Sequence, residues 1–257
     1  MTNVHPTAII HPGAELADGV EIGPYSVVGP NVRIGSGTRL MAHVFVDGWT
    51  TIGSDCVIFP FASIGTRTQD LKYKGGRPRV EIGDRNTVRE YVTVNAATSD
   101  GDVTKVGSDC LLMAYVHVAH DCILGNGVIM ANAATLAGHV IVEDMAGIGG
   151  LCGVHQFVRL GKLCYTGGFS KITQDIPPFM IADGAPVSIH TINSVGLKRR
   201  SISDESQGLL KKAYKILYRE NLSVSQAVEK IEKELQPVPE IKYLIDFIKN
   251  STRGITK

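Results

Sequence analysis

The sequence has no apolar run long enough to span a bilayer, and its opening residues 1–6 carry no basic stretch leading into an apolar core. These absences exclude helical membrane insertion and a secretory leader, so a cytoplasmic protein without stable membrane insertion is expected. Excess charge of one sign is also missing. With 26 basic and 25 acidic residues the net charge is +1, which argues against nucleic acid as a partner and leaves any charged ligand to a local patch. Five cysteines, an odd number, do not make a disulfide framework. What is plentiful is apolar material: 44% of 257 residues is ample for one large domain with a small appendage.

A period of six organises that material. Counting in sixes from Val4 gives Ile10, Leu16, Ile22, Val28, Ile34 and so on; the series resumes at Ile82 and Val106 and ends at Ile172. Of the 29 slots from 4 to 172, 25 are apolar, which neither a helix nor a simple strand explains. The following slot is often glycine, as at Gly23, Gly35, Gly53, Gly83, Gly107 and Gly149, suiting a corner that needs positive φ or close backbone approach. All five cysteines, at 56, 110, 122, 152 and 164, share one slot two residues before the aliphatic. Shared position in a small-residue slot points to interior packing, not to metal ligation. Three hexads close a triangular coil of about 18 residues, a β-solenoid. Two stretches break the pattern, 66–80 and 99–105, and read as loops beside the coil. The expected organisation is a parallel β-helix over 1–188 and a small C-terminal α-helical domain over 189–257, with Ser223 and Gln226 as a capping box.

Residues three hexads apart stack at roughly 4.8 Å, so His120, Gly138 and Gln156 form one column, with His139 and His155 beside it and His117 close by. A histidine one strand spacing from a backbone N–H can remove a hydroxyl proton while an oxyanion is stabilised, and Asp121 is placed to orient the imidazole. Four histidines on one strip favour chemistry over chance solvation.

The runs Leu111–Met113, His117–Cys122, Ala134–Val140 and Val154–Phe157 resemble the UDP-N-acetylglucosamine acyltransferase family. Gln69–Tyr73, Gly196–Arg200 and Ser251–Gly254 extend the likeness over nearly the whole chain. The resemblance implies that the coil is left-handed and that the chain is a homotrimer without a cofactor or metal. The implied reaction moves a 3-hydroxyacyl group from acyl carrier protein onto the 3-hydroxyl of a UDP-amino sugar, the first step of lipid A biosynthesis. It further implies His120 as general base, Asp121 as its partner and the Gly138 N–H as oxyanion donor. Gln69, Asp70, Lys72, Asn95, His117, His139, His155 and Gln156 would bind substrate between neighbouring subunits. Asn193, Arg199 and Arg200 would meet uridine and phosphate, and Gly168 would close the acyl groove and admit longer chains. Lys162, Lys171, Lys198, Lys211 and Lys212 are candidates for carrier docking, since carrier proteins are acidic.

The chain departs from the family's pattern at Asn95, where many members have histidine, and at Val195, where they have glutamate. The first departure leaves open an acceptor with an amine at position 3. Two other readings compete. The sister N-acyltransferase carries an extra N-terminal domain, whereas here the hexads begin at Val4. A zinc enzyme of the hexapeptide carbonic anhydrase type can use His117 and His120 but leaves the helices and the arginine pair idle.

Overall fold

The computed structural model describes residues 2–257. Its 28 short strands form three sheets of 11, 9 and 8 strands, parallel except for the last pair of the first, which are the faces of a triangular prism. The first face begins with Asn3–Val4, the second with Ile9–Ile10 and the third with Glu15–Leu16; strands three hexads apart pair in register, as Asn3 with Glu21 and His117 with Thr135.

The side chains of the six-residue series fill the centre. Among the largest fully buried side chains, Leu40, Ile52, Ile58, Leu112, Leu124, Met130, Leu136, Ile148, Leu160 and Ile172 all belong to it. Each contributes about 1.5–3 kcal/mol by leaving water. All five cysteines are buried and free. They pack and also bond: the thiols of Cys56, Cys110 and Cys122 donate to the carbonyls of Gly83, Gly125 and Ala137 at 3.1–3.2 Å, capping corner oxygens on the next coil. Ser26 and Thr38 do the same with their hydroxyls at 2.7 Å. Burial pushes the Cys122 thiol up to about 12, so it stays protonated as the donor.

The corner glycines are explained by crowding and not by φ. Gly23, Gly35, Gly53, Gly83, Gly107 and Gly149 all lack a left-handed φ. The left-handed residue comes two positions later, and it is seldom glycine: Tyr25, His43, Asp55, Tyr115, Asp121, His139 and Phe157 have φ between 55° and 64°. The strain this places on an L-residue is offset by a backbone bond to the coil before, such as His43 N–H to Pro24 O at 2.9 Å. What demands glycine is the approach of the next coil. A Cβ on Gly107 would lie 2.4 Å from Gly125 O, and one on Gly35 would lie 2.5 Å from the Gly53 carbonyl carbon.

Both interruptions leave the prism at the same corner, between the second and third faces. Residues 67–78 lie between Ser63–Thr66 and Arg79–Ile82, and residues 96–102 lie between Thr93–Asn95 and Val103–Val106. The coil ends in an antiparallel hairpin of Met180–Gly184 with Val187–Ile192. Four helices follow: α1 (Ser194–Arg199), α2 (Asp204–Arg219), α3 (Val224–Glu234, with the Ser223/Gln226 capping box) and α4 (Pro239–Lys249). Among the described residues no helix is long and apolar enough to cross a membrane. The tail then returns to the last coil, where Ser251 donates to Asp175 at 2.7 Å and Ile255 pairs with Asp175.

Two glycine substitutions should therefore move stability in opposite directions. Gly107→Ala should cost about 1–3 kcal/mol by forcing the coils apart, while Gly208→Ala in α2, where an added Cβ meets nothing within 4 Å, should add about 0.5–1 kcal/mol. Urea unfolding of both variants reads the signs, and stabilisation by Gly107→Ala would refute the crowding explanation.

Candidate functional site

Beneath the two loops, at the corner they share, the coil opens a cleft of about 560 Å³. Gln69, Asp70, Leu71 and Lys72 of the first loop form one wall; Asn95, His117, His120, His139, Gln156 and Phe157 form the other. The column read from the spacing is present: the His139 N–H donates to His120 O, and the Phe157 N–H donates to Gly138 O one coil further.

His120 is held from one side. Its Nδ1 lies 2.8 Å from Asp121 Oδ2 and 3.0 Å from Thr98 Oγ1. A carboxylate only accepts, so the proton between His120 and Asp121 resides on Nδ1, and Nε2 is left with its lone pair. Asp121 is fixed in turn: its N–H donates to Thr104 Oγ1 at 2.8 Å, and its carboxylate receives the Thr98 N–H at 3.3 Å. The His120 and Asp121 side chains are only 16% and 9% exposed, so this pairing is shielded from water. Thr98 Oγ1 also lies 3.3 Å from Thr68 Oγ1, which ties the two loops together over the histidine.

Gly138 sits directly against the imidazole. A Cβ built there would fall 2.3 Å from His120 Cε1 and 2.5 Å from Nε2. The absence of a side chain is what lets the ring approach the column so closely. His139 meets His120 edge-on at 5.2 Å, stacks on Phe157 at 4.7 Å, and points Nε2 at Asp121 Oδ2 from 3.6 Å. His117 Nδ1 is 2.6 Å from Thr93 Oγ1. Burial, and secondarily the nearby His120, hold His117 below the ordinary histidine range, so it is neutral near pH 7. Asn95 lines the cleft but is almost wholly buried; its amide nitrogen donates to Thr66 Oγ1 at 2.9 Å, and its buried Oδ1 has no partner.

His120, Asp121 and His139 also offer ligand atoms within 4.8 Å of one another, a donor set of a kind zinc accepts. His117, the other histidine of the zinc reading, is engaged with Thr93 instead.

Other expected residues lie elsewhere. His155, next to Gln156 on the same coil, is exposed and outside the cleft lining, with its Nδ1 3.4 Å from Arg253 Nη2. Gly168 is at a different corner, between the first and second faces, next to Gly150 O. Asn193, Arg199 and Arg200 line a second cleft of about 590 Å³ on the first face, with Met113, Ile129, Met145 and Tyr165. Asn193 also caps α1, accepting from the Gly196 N–H at 2.9 Å. Within one chain the arginine pair and His120 therefore belong to different faces. Sequence reasoning missed Thr98, Thr104 and Arg253. Thr98 and Arg253 reach the histidines only through the paths of a loop and of the returning tail, which leave no periodic trace; Thr104 sits within the repeat and is unremarkable there.

Known proteins share this architecture. Residues 175–256 match the model of the second domain of UDP N-acetylglucosamine O-acyltransferase, and residues 1–36 and 104–138 match the six-repeat bacterial transferase hexapeptide. The chain is 54% identical over 258 residues to acyl-[acyl-carrier-protein]--UDP-N-acetylglucosamine O-acyltransferase of Thermodesulfovibrio yellowstonii, covering 100% of both. Among solved structures, LpxA from Acinetobacter baumannii superposes with a TM-score of 0.95 at 43% identity, over 99% of each chain. The acyltransferase from Bacteroides fragilis gives 0.96 at 42%, over 98% of this chain and 99% of that one. The plant enzyme from Arabidopsis gives 0.89 at 31%, over 99% and 100%. The prism is the left-handed parallel β-helix, and the chain belongs to the UDP-N-acetylglucosamine O-acyltransferase family.

Proposed function

We propose that the protein transfers a 3-hydroxyacyl group from acyl carrier protein to the 3-hydroxyl of UDP-N-acetylglucosamine, the first step of lipid A biosynthesis. The observation that carries this reading is the His120 imidazole lying against Gly138 with its Nδ1 on Asp121. His120 Nε2 takes the sugar hydroxyl's proton as that oxygen attacks the thioester carbon. Negative charge then gathers on the thioester oxygen, where the Gly138 N–H donates to it. Collapse expels the carrier's thiolate, which takes the proton back from Nε2. Asp121 stays ionised throughout and compensates the imidazolium that forms between the two transfers. No metal or cofactor enters these steps.

Gln69, Asp70, Lys72, His117, His139 and Gln156 are assigned to the acceptor and the head of the acyl chain on the same cleft. Asn95 lines the same cleft and is assigned to the acceptor. His155 lies further along the axis and is assigned to the acyl chain. Asn193, Arg199 and Arg200 are assigned to uridine and diphosphate, for which the guanidinium fork is suited. Because those residues open on another face, a working site takes its base from one subunit and its arginines from a neighbour, in a homotrimer. Lys198, Lys211 and Lys212 are exposed on α1 and α2 and, with Lys162 and Lys171, are assigned to the acidic carrier.

Mass spectrometry of the product from UDP-N-acetylglucosamine and a panel of 3-hydroxyacyl carrier proteins tests the reading directly. A base-labile ester is expected; turnover only with the 3-amino analogue, giving a base-stable amide, would reassign the acceptor.

His120→Ala should lower turnover about 10²–10⁴-fold with circular dichroism and sedimentation unchanged. Chelator treatment of the wild type should leave its rate intact. A mutant with near-normal rate would refute the base, and loss of activity on chelation with recovery on zinc would support the metal reading.

Gly168→Met should fill the groove end and shift preference toward shorter acyl donors while the rate on the best donor changes little. An unchanged preference across the same panel would place the ruler elsewhere.

A further inference from the structure

Among the described residues, His120, Asp121 and His139 are the cluster in which three side chains bring metal-ligating atoms within 4.8 Å of one another. His120 Nδ1 is 2.8 Å from Asp121 Oδ2, and His139 Nε2 is 3.6 Å from the same oxygen. Zinc holds imidazole and carboxylate ligands at about 2.0–2.2 Å in a tetrahedron, whose edges are then roughly 3.3–3.6 Å. Both separations lie within about 0.5 Å of such an edge, so small side-chain rotations close the set around an ion. Two of the three residues are fixed from the backbone: Asp121 and His139 occupy left-handed corners on successive coils, with their N–H groups bonded to Thr104 Oγ1 and His120 O. His139 lines the cleft and is 41% exposed, which gives an ion a way in from solvent. Two imidazoles and one carboxylate suit zinc and its neighbours, not magnesium or calcium, which take oxygen.

We infer that this cluster is an inhibitory zinc site, one ion per chain, held by His120 Nδ1, Asp121 Oδ2 and His139 Nε2, and that the ion silences His120 by changing which ring nitrogen carries the proton. The inhibition rests on the role proposed above for His120; the binding of the ion does not. Without metal, Nδ1 donates to Asp121 and Nε2 keeps its lone pair. An ion on Nδ1 takes that nitrogen's lone pair instead. A neutral ring has one proton, which leaves Nδ1 and is taken up at Nε2 through solvent, so no net proton is released. Nε2, the atom that meets the sugar hydroxyl, is then a donor and no longer accepts. The ion also claims the Asp121 charge that would compensate an imidazolium. Asn95, His117 and Gln156 of the cleft take no part in the ligand set, so the acceptor still has its wall. Inhibition therefore falls on kcat far more than on KM. The site differs from that of a zinc enzyme in two respects: turnover does not require the ion, and the ion occupies the atom that orients the base. His117 stays with Thr93 and outside it.

Equilibrium dialysis of the chelator-treated full chain against zinc chloride tests the site, and one ion per chain is expected; the cysteines are all buried and do not compete as thiolates. Asp121→Asn and His139→Ala should each weaken that binding about 10²-fold or more, since loss of a ligand costs at least what loss of an outer-shell partner does, with circular dichroism unchanged. His155→Ala, outside the cleft lining, should leave binding intact. NMR of nitrogen-labelled histidine should show His120 Nε2 passing from unprotonated to protonated as zinc is added. Saturating zinc should lower kcat about 10²-fold or more, as expected for loss of a general base, with a much smaller change in KM for the sugar nucleotide, and chelator should restore the rate. No zinc uptake, or uptake that survives both ligand substitutions, would overturn the site. Inhibition that raises KM and spares kcat would overturn the proton shift. Zinc bound with the expected ring signal but without loss of rate would overturn the inhibition, and with it His120 as the base, while the cation site stands.

Discussion

Everything in this molecule follows from the distance between neighbouring coils. Backbone hydrogen bonds run along the prism axis from each coil to the next and set a single pitch for all three faces. At that spacing one aliphatic side chain per hexad fills the centre, and there is no space for a Cβ at the corner slot where glycines abut. The same spacing places rings in van der Waals stacking along an edge and brings an imidazole close against Gly138. Core, edges and the column of His120 and Gly138 are consequences of one repeat distance.

A scaffold of this kind suits the proposed chemistry because it does not have to move. The corner residues Asp121, His139 and Phe157 are locked in left-handed backbone conformations, each with its N–H bonded. His120, the proposed base, is oriented by a partner that is itself held at both ends, by Thr104 at the backbone and by Thr98 at the carboxylate. Electrostatic assistance of this preorganised kind costs no rearrangement at the moment of reaction. The loops supply what a rigid coil lacks, a wall over the cleft, and Thr68 with Thr98 joins one loop to the other.

Much of this was legible because the repeat is arithmetic. The period of six located the core slots, the shared position of the cysteines and the column of His120, Gly138 and Gln156, all from spacing alone. The corner glycines were legible as crowding but misleading as conformation: the left-handed position falls two residues later and is filled by tyrosine, histidine, aspartate and phenylalanine, types that on composition alone would not be placed there. Thr98 and Arg253 were invisible because their contacts depend on how a loop and a returning tail run in space, and Thr104 because nothing sets it apart within its hexad. The separation of Arg199 and Arg200 from His120 was equally hidden, since it depends on which face the chain occupies when it leaves the coil at Asn193.

The two loops carry one more consequence. Arg79 pairs with Trp49, five hexads back along the chain, and Val103 pairs with Arg79, four hexads back, where an uninterrupted coil pairs at three. The excess is two hexads in the first case and one in the second, with no remainder in either, although an extruded loop is under no geometric obligation to have such a length. Phase is thus conserved across both interruptions, and the aliphatic series counted from Val4 is still in step at Ile172. For the lineage that produced this chain, the hexad is the quantum of permissible growth: a length change of any other size within the coil would turn every later side chain off its face, whereas a hexad can be bulged out, reshaped into a binding wall and leave the rest of the prism unaware of it.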